Sequence, residues 1–522
     1  MKQLTGVDAS FLYMENGTSF GHVSGLSIFE RPGTPGWSAY DAMRDRLELR
    51  LPLLEPLRRR VVEVPFQLDH PYWIEDPEFD LDYHLRDAAI GAPGDESKLA
   101  ELVSRIIGRP LDRGHPLWEC YVIEGLSGDR FAVLTKLHHA TIDGASGAEL
   151  MTILFDTEAN PAPEPLPVDD RRPEAVPSPG AVMRRALLDV ARKPRKLVRL
   201  QYRTVRALGE LTRNQGLTGF AELARSVPNP MAKPRPSSRE PDVLPNLPTG
   251  AAPSTPFNGS ITAHRRLALR TSSLEDIKAI KNALGATIND VVMAVCAGGL
   301  RQYLLAHDAL PNQPLVAMVP ISIRTGQEED RWTNRVSSLF SPLPTDVDDP
   351  LARVQHVHQG METAKSRFAL MPADVLTDYA QFSPPALATR AIRLAARLKI
   401  ADRMNPPFNL VVSNVPGPRH PLYLAGARLQ HYYPVSTIAE GQGLNITVQS
   451  YLDTLDFALV ACRELVPDVD MLADLVIAEI GVLAKAAGVA QVHKAAPVGR
   501  SGATKSTKAS KRPAKAAARK AS

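Results

Sequence analysis

The ten most informative residues are Leu137-His-His-Ala-Thr-Ile-Asp-Gly-Ala-Ser146, in which two adjacent histidines precede an aspartate and a glycine. It follows residues 131–137, whose alternating pattern is typical of a strand, and precedes the helix-like run 148–155. Neighbouring side chains of a strand point to opposite faces, so His138 and His139 are not expected to enter one cleft. One histidine is therefore expected to be catalytic and the other structural.

The chemistry available to this stretch is that of a general base. An imidazole can take a proton from an alcohol as it attacks a thioester, and can return that proton to the leaving thiolate. Asp143 could fix the local geometry, and Arg324 is the candidate partner for its charge if it is buried. Gly144 leaves room for a ligand or a tight turn.

Three other interpretations of the paired histidines are open. His139 and Asp143 are spaced to share a helical face and could bind a metal, but no third ligand is spaced nearby, so no metal site is predicted. A Ser-His-Asp hydrolase would need a Gly-x-Ser-x-Gly elbow, which does not accompany the histidines. The pair could also be satisfied core histidines.

Prolines divide the chain into parts. Of 45 prolines, seven lie in residues 161–180 and nine in residues 228–256, which excludes a regular helix or a central strand there. We therefore expect an α/β lobe over 1–160, linkers and a helical segment over 161–256, a second lobe over 257–492, and a tail over 493–522. Hydrophobic periodicity predicts the following elements: helices Ser97–Ile107, Ser273–Leu284 and Asn289–Leu304; strands Leu315–Val319, Asn409–Val412 and Leu444–Tyr451.

Two segments carry unbalanced positive charge. The segment Met183–Leu217 reads as a basic amphipathic helix, which would lie in a membrane interface or pack on its own protein with a charged outer face. The tail, residues 494–522, has nine Lys or Arg and no acid, as expected of a solvated disordered end or of a segment that binds anionic lipid. Binding of the tail to nucleic acid is a less favoured alternative.

Compartment and cofactors can also be predicted. The three cysteines lie far apart in apolar surroundings, which is typical of neither a disulfide framework nor a metal site. No run of roughly 18 apolar residues is present. The expectation is a cytoplasmic protein without a spanning helix.

The His-His-x-x-x-Asp-Gly pattern resembles the active-site motif of the superfamily of chloramphenicol acetyltransferase and peptide-synthetase condensation domains. From Leu4 to about Val492 the chain is similar to the bacterial wax ester synthase/diacylglycerol acyltransferase family. The landmarks are Leu4-Thr-Gly-Val-Asp-Ala-Ser-Phe-Leu-Tyr-Met-Glu15, Phe79-Asp-Leu-Asp-Tyr-His84, Pro116-Leu-Trp-Glu119, Ala286-Thr-Ile-Asn-Asp-Val-Val292, Val319-Pro-Ile-Ser-Ile-Arg324 and Val412-Ser-Asn-Val-Pro-Gly-Pro418.

The resemblance implies two chloramphenicol-acetyltransferase-like lobes that form a central tunnel. His139 would be the general base, with His138 and Asp143 supporting it and Gly144 keeping the channel open. The pairs Asn289/Asp290 and Pro116/Trp118 would shape the site. Each pair also has a structural explanation, because Asn289 is a plausible helix N-cap, Asp290 is favourable at a helix N-terminus, and Pro116-Leu-Trp118 could be a packed turn.

The resemblance further implies long-chain acyl-CoA as a substrate and no cofactor. The acceptor would be diacylglycerol, giving triacylglycerol, or a fatty alcohol, giving a wax ester. Such an enzyme would work at the inner face of the membrane or at lipid inclusions. Two alternatives are condensation-type acylation of another alcohol or an amine, and a non-catalytic protein that binds lipid surfaces or nucleic acid.

Overall fold

The computed structural model describes residues 1–142, 144–162, 174–189, 252–323, 332, 334, 336–369, 389–390, 393–394 and 396–489. These residues form two six-stranded mixed sheets with helices packed against them, and a smaller three-stranded sheet. The predicted α/β class with two lobes is confirmed.

The N-terminal sheet has the strand order β12-β13-β2-β7-β6-β5. Its central strand β7 pairs antiparallel with β2 on one side and β6 on the other. Every residue of 131–138 except Thr135 is buried, so both faces of β7 are covered. The strands are β2 (His22–Glu30), β5 (Leu85–Ala89), β6 (Trp118–Leu126), β7 (Arg130–His138), β12 (Tyr423–Leu424) and β13 (Ala427–Val435).

The C-terminal sheet has the order β10-β9-β11-β14-β15-β8. Its strands are β8 (Arg265–Ser273), β9 (Leu315–Ser322), β10 (Val336–Leu343), β11 (Leu410–Val415), β14 (Leu444–Tyr451) and β15 (Thr454–Cys462). Four helices pack on this lobe: α7 (Leu274–Leu284), α8 (Ile288–Ala306), α9 (Pro350–Ala369) and α10 (Val469–Ala486). Gly299 lets α8 approach α10 closely, since a Cβ there would lie 2.6 Å from Cγ2 of Val476.

Most of the remaining described elements belong to the N-terminal half, and a short 3-10 helix, Ile400–Asp402, belongs to the C-terminal half. The small sheet has the order β1 (Lys2–Gln3), β4 (Tyr72–Glu75) and β3 (Arg59–Val62). The helices are α1 (Gly6–Tyr13), α2 (Ala39–Arg50), α3 (Leu81–His84), α4 (Glu96–Ile107), α5 (Gly144–Leu154) and α6, which spans residues 179–189. The three helices and three strands predicted from periodicity are present; Leu444–Tyr451 has the predicted ends, and the ends of the others differ by at most three residues.

The C-terminal half of the chain contributes two strands, β12 and β13, to the N-terminal sheet. β13 comes from the C-terminal half of the chain but pairs antiparallel with β2, with Tyr433 opposite Leu26 and Val435 opposite Ser24. One buried apolar cluster then contains Leu26 of β2 together with Val460 of β15. The lobes thus share a core, which the sequence patterns do not predict.

Within the described residues, no single helix is both long and apolar enough to cross a membrane. α7 and α8 pass that test only as a pair, and their axes are bent by 101° at the break between them.

Candidate active site

The paired histidines lie where β7 ends. The backbone N–H of His138 donates to the carbonyl of Leu117 (2.9 Å), and that of His139 donates to the carbonyl of Gly21 (2.7 Å). The side chain of His138 is 1% exposed, whereas that of His139 is half-buried. The two rings have different neighbours, as expected for adjacent residues at the end of a strand.

His138 is held by an internal charge cluster. Its Nδ1 accepts the N–H of Ala140 (3.0 Å), which places the ring proton on Nε2. Nε2 lies 3.2 Å from Oε1 of Glu15, although the two groups are not aligned as a hydrogen bond. Glu15 also accepts from the N–H of Gly21 (2.8 Å) and from Arg113 (2.8 Å). Both ring nitrogens therefore face protein groups.

The cluster changes the acidity of Glu15. Burial alone would raise the pKa of its carboxyl. Contact with His138, the N–H of Gly21 and the guanidinium of Arg113 outweigh burial and lower this pKa to about 2. Glu15 is therefore ionised at neutral pH, beside a buried histidine.

Gly21 is needed for this arrangement. A Cβ at this position would lie 2.6 Å from Nε2 of His138 and 2.9 Å from the carbonyl oxygen of Phe11. The second neighbour is backbone and cannot rotate away, so α1 or the segment that leads into β2 would have to move.

His139 contacts both halves of the chain. Its ring stacks on Phe11 of α1, with centroids 4.0 Å apart and planes 10° apart. Its Nδ1 lies 3.2 Å from Oδ1 of Asn334, a residue that precedes β10. The Nδ2 of Asn334 donates to the carbonyl of His139 (2.7 Å) and to Oδ1 of Asp8 (2.6 Å).

These contacts fix the tautomer of His139. The Nδ2 of Asn334 faces two oxygens that can only accept, so the amide is oriented with Oδ1 towards the imidazole. An amide oxygen cannot donate, so Nδ1 of His139 carries the proton. In the neutral ring the lone pair is then on Nε2, which is the atom a general base uses.

Asp8 completes the chain of hydrogen bonds. It is 5% exposed, and its carboxylate accepts from the hydroxyl of Thr5 (2.7 Å). It also accepts from the backbone N–H of Asn334 (3.3 Å) and from the side-chain Nδ2 of the same residue (2.6 Å). Burial is the largest effect and raises the pKa of Asp8, while the hydrogen bonds from Thr5 and Asn334 oppose it. Asp8, Asn334 and His139 form a line that joins α1 to the C-terminal lobe.

Two predicted site residues lie outside the described part of the chain. They are Asp143 and Arg324, so their pairing stays a prediction. Gly144 is described as the first residue of α5. Most of the basic segment Met183–Leu217, and all of the tail from residue 490 onward, likewise lie outside the described residues.

Trp118 has the contacts of a core residue next to the histidine strand. It is 3% exposed, its indole N–H donates to the carbonyl of Leu57 (2.7 Å), and its ring stacks on His84 at 4.4 Å. Pro116 is buried, and its carbonyl accepts the N–H of Trp118. These contacts favour the packed-turn explanation for Pro116-Leu-Trp118.

The proposed capping role of Asn289 was wrong. The N-cap of α8 is Thr287, whose backbone is extended and whose hydroxyl accepts the N–H of Asp290 (3.1 Å). Asp290 in turn accepts the N–H of Thr287 (3.0 Å), which forms a capping box, and it also contacts Nδ1 of His358 (2.8 Å). Asn289 is the second residue of the helix, and Asp290 stabilises its start.

Ser413 lies within β11, and the turn that follows this strand lies close to β14. The N–H of Gly417 donates to the hydroxyl of Ser450 (3.1 Å), and a Cβ at Gly417 would lie 1.9 Å from the carbonyl oxygen of Ser450. Only glycine fits this approach.

Five residues around the histidines were not predicted from the sequence as site residues: Asp8, Phe11, Glu15, Arg113 and Asn334. Three of them lie in the landmark segment 4–15, which was the available signal. Arg113 and Asn334 carried no signal in the sequence. Among the described residues, no group of three or more His, Cys, Asp or Glu could hold a metal ion.

Comparisons with known proteins find relatives over most of the chain. Residues 4–292 match the wax ester synthase/diacylglycerol acyltransferase catalytic domain, and residues 332–483 match the C-terminal domain of the same proteins. The O-acyltransferase WSD of Acinetobacter baylyi is 34% identical over 93% of this chain and 98% of its own length. The probable diacylglycerol O-acyltransferase tgs2 of Mycobacterium tuberculosis is 35% identical over 92% of this chain and 98% of its own length.

Solved structures show the same architecture. The wax ester synthase/diacylglycerol acyltransferase from Marinobacter aquaeolei VT8 matches with a TM-score of 0.63 and 28% identity, covering 94% of this chain and 100% of that one. The first condensation domain of the calcium-dependent antibiotic synthetase matches with a TM-score of 0.53 and 17% identity, which shows a shared fold; the match covers 96% of this chain and 98% of that one. The chain belongs to the wax ester synthase/diacylglycerol acyltransferase family.

Proposed function

We propose that the protein is a long-chain acyl-CoA:diacylglycerol O-acyltransferase that makes triacylglycerol, with wax ester formation from fatty alcohols as a second or main activity. Family membership supports acyl transfer to an alcohol. The observation that carries the mechanism is the Asn334 amide, which holds the His139 ring with its proton on Nδ1.

In the proposed reaction, Nε2 of His139 takes the hydroxyl proton as the alcohol oxygen attacks the thioester carbonyl. A carbon–oxygen bond forms, and the carbonyl becomes a tetrahedral oxyanion. When this intermediate collapses, the carbon–sulfur bond breaks, and the imidazolium returns its proton to the CoA thiolate. No acyl-enzyme is needed, and acyl-CoA is a substrate.

The site lies between the lobes, which fits two substrates that approach from different sides. Phe11 belongs to the first half of the chain and Asn334 to the second, and both contact His139. A tunnel with acyl-CoA entering on one side and the alcohol on the other would present both substrates to His139. Arg324 remains the proposed partner of Asp143.

We propose that the enzyme works at the cytoplasmic face of the membrane or on lipid inclusions, because the acceptors and products partition into lipid. The proposed preferred acceptor of the enzyme is diacylglycerol. Discrimination between two apolar acceptors depends on pocket shape, where one methylene contributes only about 1 to 3 kcal/mol.

The test uses purified protein, radiolabelled palmitoyl-CoA, and either diacylglycerol or hexadecanol, with the products resolved by thin-layer chromatography. Label in triacylglycerol is expected with wild type and with His264→Ala, which changes an exposed histidine as a matched control. Label should vanish with His139→Ala.

Each other outcome has a defined meaning. Label chiefly in wax ester would make fatty alcohol the preferred acceptor. Equal activity of His139→Ala and wild type would reject His139 as the base. No transfer to either alcohol by folded protein with lipid present would reject the proposed function in favour of another acceptor or a binding-only role.

A further inference from the structure

Several exposed apolar side chains lie on the segments that border one cavity, which residues from both halves of the chain line. The cavity is lined in part by Leu12, Tyr13, Val64, Gln67, Thr389 and Arg393. The side chains next to these residues in sequence or in the adjoining helix are unusually exposed. We call them the apolar rim: Met14 (42% exposed), Phe66 (82%), Leu68 (44%), Leu187 (56%), Leu188 (54%), Leu394 (55%) and Leu398 (50%).

The turn between β3 and β4 holds the most exposed member. Phe66 has φ 58° and ψ 11°, and Gln67 has φ 53°, so two consecutive residues with side chains adopt the left-handed region. This conformation is uncommon for such residues and persists where the surrounding structure or a function requires it. The aromatic ring of Phe66 is 82% exposed, so it contributes almost no hydrophobic stabilisation to the fold.

The helix α6 adds the next two members. Val182 and Ala186 pack against Val64 and Tyr72 of the small-sheet region, and the following residues, 187 and 188, are exposed. The hydroxyl of Tyr72 donates to Asp189 (2.9 Å), which fixes the last residue of the described helix.

Residues around 394 extend the rim on the other side of the cavity. The N–H of Leu398 donates to the carbonyl of Leu394 (2.9 Å), as in a helical turn, so the two side chains lie on the same face. Arg393, which lines the cavity, joins this turn to the rest of the rim.

The charge around the rim is positive. The carboxylates near the cavity already have partners: Glu63 accepts from Arg113 (2.6 Å), Glu174 contacts the N-terminal amine (2.5 Å) and Asp189 accepts from the hydroxyl of Tyr72 (2.9 Å). Asp69, which also lines the cavity, is 2% exposed and accepts the N–H of His70 (2.7 Å). The exposed arginines of the rim are Arg184, Arg185, Arg390, Arg393 and Arg397. Apolar side chains surrounded by arginines are complementary to a lipid surface with anionic head groups, where acyl chains lie beneath phosphates.

We propose that the apolar rim docks the protein onto an anionic lipid surface, with Phe66 and its neighbours entering the head-group region. The proposal rests on the proposed function, because lipid-borne acceptors must reach His139. α1 connects the two places: Leu12 and Tyr13 line the cavity beside the rim, and Phe11 stacks on His139. The docked face is therefore one helix away from the proposed base.

The first test measures co-sedimentation of the full chain with vesicles of phosphatidylcholine, with and without phosphatidylglycerol. Wild type is expected to bind the anionic vesicles, and Phe66→Ser/Leu68→Ser to bind them about tenfold more weakly. The matched control is Met471→Ser/Val482→Ser on α10, whose side chains are 39% and 48% exposed. Equal binding by both double variants, or no binding by wild type, would overturn the proposal.

The second test reads the insertion of position 66 directly. The three native cysteines are buried, so a polarity-sensitive thiol dye on Phe66→Cys reports that position alone, and Val482→Cys is the control. A blue shift with anionic vesicles is expected at position 66 and not at 482. Vesicle-bound protein without a shift at 66 would exclude docking through the rim.

Activity separates this proposal from the proposed function. With a short-chain acyl-CoA and a water-soluble alcohol, the Phe66→Ser/Leu68→Ser variant is expected to keep wild-type turnover, while turnover with vesicle-borne diacylglycerol falls. Absence of turnover in wild type with intact vesicle binding would reject the enzyme mechanism and leave the docking surface standing.

Discussion

The hydrogen bonds of Asn334 predict a large and specific effect of Asn334→Ala on turnover. The substitution removes the acceptor for Nδ1 of His139 and the donors to Asp8 and to the carbonyl of His139. Without the amide, the imidazole can rotate or adopt the tautomer with its proton on Nε2, which cannot act as the base.

The magnitude follows from the bonds that are lost. A neutral hydrogen bond contributes about 1 kcal/mol and one to a charged group about 1.5 to 3 kcal/mol. If about 2 to 3 kcal/mol of this total positions the ring in the transition state, kcat falls roughly 30- to 160-fold. KM for either substrate should change little, since Asn334 contacts the histidine and Asp8.

The assay is steady-state kinetics beside equilibrium unfolding, with Asn409→Ala as the matched control. Asn409 is also fully buried, and its side chain donates to Pro253 and Asn258 and accepts from Val316. Both variants should lose stability, but only Asn334→Ala should lose kcat at a temperature where it is folded. Equal kcat values for the two variants would refute the positioning role of Asn334.

Asp8→Asn distinguishes positioning from folding further. Burial raises the pKa of Asp8, so its folded pKa lies above the unfolded value, and its stabilising contribution is present at low pH and lost as pH rises through the folded pKa. The neutral asparagine avoids the cost of a buried charge at pH 7. Asp8→Asn is therefore expected to keep or increase the free energy of unfolding while kcat falls about tenfold. A parallel loss of stability and kcat would contradict this.

Three further predictions concern residues near the site. Gly21→Ala should lower kcat at least about tenfold and the free energy of unfolding by about 1 to 3 kcal/mol, because its Cβ meets the Phe11 carbonyl. Gly17→Ala is the control, since a Cβ there would have nothing within 4 Å. Equal losses of kcat and stability in the two variants would count against the close contact at Gly21. Glu15→Gln should lower the free energy of unfolding at neutral pH by about 3 kcal/mol, because the pKa of Glu15 in the folded protein, about 2, lies below its ordinary value of 4.5. This stabilisation is present above pH 4.5 and disappears as the pH falls to 2. Chemical denaturation should therefore give the variant and wild type the same stability near pH 2. Asp290→Ala should cost about 1 to 2 kcal/mol by removing the capping box and leave kcat unchanged, whereas lost kcat with full stability would favour a role in the site.

Local patterns predicted the elements and the two histidines well. Period-2 and period-3.6 patterns describe a residue and its near neighbours, and β7, α7 and α8 are built from such patterns. The opposite facing of His138 and His139 follows from strand geometry alone. The error at Asn289 also comes from reading local sequence alone. Several neighbouring residues are suitable helix caps, and only the backbone angles show that Thr287 is the N-cap.

Long-range contacts could not be predicted in this way. Asn334 is 195 residues from His139 and 326 from Asp8, and nothing in its local sequence indicates either partner. β13 pairs with β2 across about 400 residues, and its own sequence pattern does not indicate which of the two sheets it joins. Resemblance to a family located the segment 4–15, but only the fold shows which of its side chains contact the histidines.

The position of β13 in the N-terminal sheet also explains how His139 can contact residues from both lobes. β12 and β13 belong to the N-terminal sheet, whereas β11 before them and β14 after them belong to the C-terminal sheet, so the chain crosses between the lobes before and after this pair of strands. The shared core that results, with Leu26 and Val460 in one cluster, opposes separation of the lobes. A base oriented by Phe11 from one lobe and Asn334 from the other needs such a connection, since a shift of about 1 Å between the lobes would break the 3.2 Å contact at Nδ1. The placement of β13 is therefore expected to hold Phe11, His139 and Asn334 at constant distances, as the proposed function requires.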